Sequence, residues 1–219
     1  RMGFVHRVGG VGLLVVIVMH AFDVIRYKRR KKQSMWQIIT GPDSIIFNGR
    51  DLREFIQSIK WFFGRGERPN YGRYTYWETF DYFAVGWGVI IIGVTGLVLW
   101  FPELFTYVVP GWAVNVATII HSDEALLAVG FIFTIHFFNT HFRPDKFPMD
   151  PVVFTGQVPL DELKYDKPDE SRALMESDDR EQHLVDPYPE GRTRALKIFG
   201  FAALTFGLVL LRLIVYTML

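Results

Sequence analysis

Hydrophobic positions in this chain do not alternate. They gather into four long apolar stretches with polar segments between them. The first covers about residues 4–25. The second, about 79–101, reads TFDYFAVGWGVIIIGVTGLVLWF and is stopped by Pro102. The third, about 112–142, reads WAVNVATIIHSDEALLAVGFIFTIHFFNTHF and is longer than one crossing requires. The fourth, about 196–219, reads LKIFGFAALTFGLVLLRLIVYTML. At ~1.5 Å of rise per residue, a helix of ~20 apolar residues crosses the ~30 Å hydrocarbon core. The pattern predicts an all-α integral membrane protein, a bundle of four transmembrane helices. Residues 1–142 are expected to form one membrane domain with the first three spans, 143–194 a cytoplasmic arm, and 195–219 the last transmembrane helix.

Two features modify this frame. In GRDLREFIQSIKWFFG, Leu52, Phe55, Ile56, Ile59, Phe62 and Phe63 recur at helical spacing, with Arg53, Glu54 and Lys60 elsewhere on the wheel. That predicts an amphipathic helix on the membrane surface or against a partner subunit. Residues 148–192 are rich in Pro, Asp and Glu with weak periodicity, so an extended arm is expected there. The chain opens on Arg1 and enters an apolar stretch almost at once, so we expect a preceding segment. No signal-peptide cleavage pattern is visible.

Composition adds what hydropathy leaves out. The net charge is +1, so the totals carry no nucleic-acid signature. There are no cysteines, which excludes disulfides, cysteine-ligated iron–sulfur clusters and covalently attached c-type haem on this chain. Lys and Arg number twelve in residues 26–76, none in 102–111 and eight in 143–194. By the positive-inside rule the two basic segments face the cytoplasm and the short loop faces outward. The first span then runs from outside to inside, and the others alternate.

Four of the six histidines lie well inside apolar stretches, with His141 at the very end of the third, and ionisable residues there are rare and usually functional. His6 and His20 are fourteen residues apart, which on an α-helix leaves them about 40° apart on one face and about 21 Å apart along the axis. His121 and His136, fifteen apart, come out at about 60° and about 22 Å. Topology places His6 and His121 toward the outer surface, and His20 and His136 toward the cytoplasm. Two antiparallel helices with paired imidazoles at two depths suit two stacked metal macrocycles, each held by two histidines. The expected cofactors are two haem b groups, with His6 and His121 as axial ligands of the outer one and His20 and His136 of the inner one. The competing reading is interhelical hydrogen bonding or a proton relay. A single zinc ion does not fit ligands ~21 Å apart on one helix.

Gly9, Gly10, Gly12 and Gly130 suit either clearance for a flat macrocycle or close helix packing. Arg7 and Arg26 flank the first-span ligands and suit haem propionates or membrane-edge snorkelling. His141, five residues past His136, points about 140° away and fits a surface role at the cytoplasmic rim. Asp123 and Glu124 follow His121, and a surface or ligand-orienting role is expected for them.

The stretches YTYWETFDYFAVGWG, TGLVLWFPELF and PGWAVNVATIIHSDEALLAVGFIFTIHFFNTHFRPDKFPMD carry a resemblance over roughly residues 1–160. The chain resembles the bacterial di-haem cytochrome b subunits that include the gamma subunit of membrane-bound formate dehydrogenase. The resemblance implies a multi-pass subunit of the bacterial inner membrane that passes electrons between quinone, near the inner haem, and an outer-side iron–sulfur or multihaem cytochrome subunit. Its third-helix histidines are often one residue closer together than here, and it usually has an earlier helix not seen in this chain. An Asn and a Gly that shape its quinone pocket match Thr75 and Trp77. Quinol oxidation also releases protons, and the cytoplasmic rim offers Glu78, Asn139 and His141 as further quinone-site candidates, with Asp81 read as a helix cap and Tyr82 nearby. Two other functions stay open: the core cytochrome b of a quinol–cytochrome c type complex, and a haem-free membrane anchor or assembly subunit.

Overall fold

The computed structural model describes residues 2–32, 34–41 and 44–218. The protein is an all-α multi-pass membrane protein: among the described residues there is no strand, and four helices are long and apolar enough to cross a bilayer. These spans are Gly3–Arg30, Tyr76–Trp100, Trp112–Phe142 and Glu190–Thr217. Their side chains are largely exposed, Phe4 at 73%, Val16 at 61% and Ile90 at 63%. In water such a surface would be untenable; against lipid tails it is the favourable one.

The chain divides into two compact units. One comprises Arg1–Pro69 and Arg73–Ala128, the other Asn70–Gly72 and Val129–Leu219. The first unit holds α1 (Met2–Lys31), α2 (Met35–Thr40), α3 (Gly49–Phe62), α4 (Tyr76–Trp100), α5 (Pro102–Phe105) and most of α6 (Trp112–Phe131). α1 runs on past the apolar stretch through RYKRRK, because nothing in that basic segment breaks a helix. α4 begins three residues before the apolar stretch. Thr75 caps it, accepting from the Glu78 backbone N–H, while the Glu78 carboxylate accepts from the Thr75 N–H at 2.8 Å and from its hydroxyl at 3.0 Å. Asp81 therefore sits inside the helix and does not cap it.

α3 is amphipathic in the expected sense. Its apolar face stands exposed, with Phe62 at 78% and Phe63 at 70%, while Asp51 and Glu54 on the other face are buried. Asp51 explains the inversion. One carboxylate oxygen accepts from the Asn48 N–H at 2.7 Å in a capping box, and the other accepts from the buried Thr79 hydroxyl of α4 at 2.9 Å. A polar bond thus fastens α3 to α4 and turns the apolar side outward. Asp51→Ala removes both interactions and leaves a buried cap unsatisfied, at a cost of about 1–3 kcal/mol. We expect a lower melting midpoint in detergent. An unchanged midpoint would show that the bond does not anchor α3.

In the second unit the long third span changes character. Ile132–His136 and Phe138–Phe142 are π-helical. Their i→i+5 turns hold more residues than α-turns, so the 100° per residue used for the sequence register does not extend through them. α7 (Val152–Thr155), α8 (Leu160–Asp166), α9 (Pro168–Glu176) and α10 (Arg180–His183) follow, then α11 (Glu190–Met218). The segment expected to be extended is thus a series of short helices. Weak periodicity reflects their brevity, and Pro168 starts α9 at the position where its missing N–H costs nothing. Buried Lys146 gathers this region by pairing with Glu162 of α8 and with Asp150 at 3.1 Å. Burial pulls its pKa down, but the hydrogen bond with Glu162 and the charge of Asp150 outweigh that, holding it above the ordinary 10.5. α11 fits beside Phe137 at Gly207, where a Cβ would run into the aromatic ring.

Candidate functional site

α1 brings His6 to a cavity in the first unit, and α6 brings His121 to the same place. The two rings lie 5.9 Å apart between centres, with planes at 86°. Where two imidazoles share one metal ion at bonds of about 2 Å, their ring centres lie about 6 Å apart. The observed spacing is compatible with ligands on opposite sides of one iron, and it is equally that of an ordinary edge-to-face ring contact.

The cavity beside the pair has a volume of about 580 Å³. Cofactor pockets commonly run ~300–1,000 Å³. Its walls come from α1, α4 and α6, and glycine makes the room: Gly3, Gly9 and Gly10 on one side and Gly93 and Gly96 on the other. A Cβ on Gly9, Gly10 or Gly93 would meet nothing within 4 Å, so these glycines leave open space rather than a tight helix crossing. Gly96 differs. A Cβ there would come 3.2 Å from His121 Cε1, so its lack of a side chain seats the His121 ring. The remaining lining is largely aliphatic, with Trp100 at one end. The Arg7 guanidinium lies 5.4 Å from the centre of the Trp100 ring and also faces the cavity. It supplies one fixed cation for an anionic substituent, while the rest of the wall suits an apolar disc. The residues present therefore fit a haem held by His6 and His121.

Sequence reasoning missed Thr95. Its hydroxyl is 3.0 Å from His121 Nδ1 and 2.6 Å from the Ile91 carbonyl one turn back. The only hint in the chain was a polar residue beside glycine within an apolar run. Glu124, expected to have a surface or ligand-orienting role, is half-buried against α4: a Cβ on Gly88 would come 3.0 Å from its Oε1. Asp123 is exposed.

The other candidates fall elsewhere. His20 belongs to the first unit, where its Nε2 is 2.8 Å from the Tyr82 hydroxyl. Arg26 is exposed on the same helix. His136 belongs to the second unit and closes the first π-helical segment. His141 lies five residues on, and its Nδ1–H donates to the Pro148 carbonyl at 2.7 Å. Asn139 is half-buried in the second π segment. Thr75 and Glu78 are tied together in the α4 cap, and Trp77 packs edge-on to Tyr76 with ring centres 5.0 Å apart. Among the described residues, no three His, Cys, Asp or Glu side chains converge to hold a bare metal ion. Comparison with protein-family models, with curated proteins and with solved structures finds no match to this chain.

Proposed function

We propose that this protein is a di-haem b membrane subunit of a respiratory oxidoreductase complex. It carries electrons across the bacterial inner membrane between the quinone pool and an outer-side redox partner. The observation that carries the reading is the His6–His121 pair, set 5.9 Å apart beside a glycine-walled cavity within an apolar span bundle. Two imidazoles alone make a poor site for a bare ion, whereas a porphyrin supplies the remaining donors itself. Bound haem would supply one-electron chemistry at a potential tuned by its axial ligands and burial.

The chain's own residues do the rest. His6 on α1 and His121 on α6 would hold the iron from two different helices. Arg7 faces an anionic edge, where a charge-assisted bond would fix the macrocycle's rotation. The aliphatic walls exclude water and keep the surroundings apolar. The inner centre rests on the sequence pairing of His20 with His136. His20 Nε2 would have to exchange Tyr82 for iron, which frees the Tyr82 hydroxyl at the end of the membrane where quinone is expected.

Quinol added to the full chain in proteoliposomes tests the electron-transfer part. The expected result is reduction of b-type haem, slowed by a quinone-analogue inhibitor that perturbs the inner centre. Haem that dithionite reduces and quinol does not would remove quinone from the account.

A further inference from the structure

We infer that Thr95 is a positioning residue that sets the tautomer of His121, keeping its proton on Nδ1 and its lone pair on Nε2. A threonine hydroxyl carries one hydrogen and two lone pairs. The Thr95 hydrogen is committed to the Ile91 carbonyl, the shortest contact the hydroxyl makes, at 2.6 Å. A carbonyl has no hydrogen to give, so in that bond the hydroxyl must be the donor. Towards His121 Nδ1, at 3.0 Å, it is therefore an acceptor, and Nδ1 must carry the hydrogen. A neutral imidazole protonated on Nδ1 has its free lone pair on Nε2.

The geometry holds the ring as well as the proton. Gly96, the next residue, lies against His121 Cε1, where a Cβ would stand at 3.2 Å. Thr95 and Gly96 thus engage adjacent atoms of one ring edge, and the ring is also part of the cavity wall. Thr95 is itself 9% exposed, so water does not readily compete for its oxygen. A ligand imidazole whose other nitrogen donates to a fixed acceptor is oriented and made more basic. The inference rests on the haem reading for its purpose, and not for the tautomer itself.

The test uses the full chain in detergent, labelled with [15N]histidine and measured both without haem and loaded with it. In the haem-free protein, nitrogen chemical shifts are expected to report His121 as the Nδ1–H form. Thr95→Ser should retain that form. Thr95→Val, of similar volume but without an acceptor, should lose the bias, and Thr95→Ala serves should valine disturb folding. In the loaded protein, Thr95→Val should bind the outer haem 10–100-fold more weakly and shift its midpoint potential upward, with serine restoring both. An Nε2–H form in the unsubstituted chain, or an Nδ1–H form that survives Thr95→Val and Thr95→Ala, overturns the inference. An Nδ1–H form that depends on Thr95 in a chain that takes up no haem would instead leave the inference standing and end the haem reading.

Discussion

Replacing His121 by alanine should take the haem content from the proposed two per chain to one, and replacing His6 should do the same. Both substitutions should remove the same centre, because the two ring centres lie 5.9 Å apart beside one cavity. Neither imidazole has a nearby substitute: among the described residues, His6 and His121 are the histidines that line this cavity. With one of the two imidazoles gone, a single protein ligand would be left to hold the haem, and detergent extraction should strip it. The double variant should lose no more than either single one, because residues acting on one centre are not additive. His141→Ala, by contrast, is expected to keep both haems, because the inner ligand is assigned to His136; loss of one would pass that role to His141, whose Nδ1–H donates to the Pro148 carbonyl and leaves Nε2 available. Pyridine haemochrome assay of the purified variants reads all of these. Two haems per chain in His121→Ala would break the assignment.

Filling the cavity should remove the outer haem while leaving both ligands in place. Gly10 lines the cavity, and a Cβ there meets nothing within 4 Å. The Cβ of a phenylalanine at this position therefore displaces no neighbour, and its ring should take up space at the cavity wall. It also replaces the helix-weakening glycine with a residue about 0.5 kcal/mol more favourable in a helix, so unfolding does not explain a loss of cofactor. Gly10→Phe is expected to hold one haem per chain with an unchanged melting midpoint in detergent. Retention of both haems would mean the cavity is a lipid groove and not a cofactor site. The two substitutions are complementary, one deleting a ligand and the other deleting space.

The spans were legible in the sequence because hydropathy over twenty residues overwhelms local detail. Their ends were less so. α4 starts at Tyr76 because Thr75 and Glu78 form a capping box, and those polar residues looked like site chemistry when read in isolation. The apolar stripe on α3 was visible as a period, but which side would pack depended on the Asp51–Thr79 bond between residues 28 positions apart. That the His6 and His121 rings come close to each other could be read from spacing and topology. Thr95 could not, because its meaning depends on which carbonyl takes its hydrogen. The π-helical turns after Phe131 were also invisible: a helix that widens keeps the same apolar pattern as one that does not.

The central claim is that facing imidazoles in the membrane hold haem. The most direct measurement is the reduced-minus-oxidised spectrum of the purified, folded full chain, combined with low-temperature EPR of its oxidised form. The account predicts a b-type α-band at two haems per polypeptide, and low-spin ferric signals of which one disappears in His6→Ala. A chain that is helical and monodisperse yet shows no haem absorbance after expression with haem supplied would contradict it.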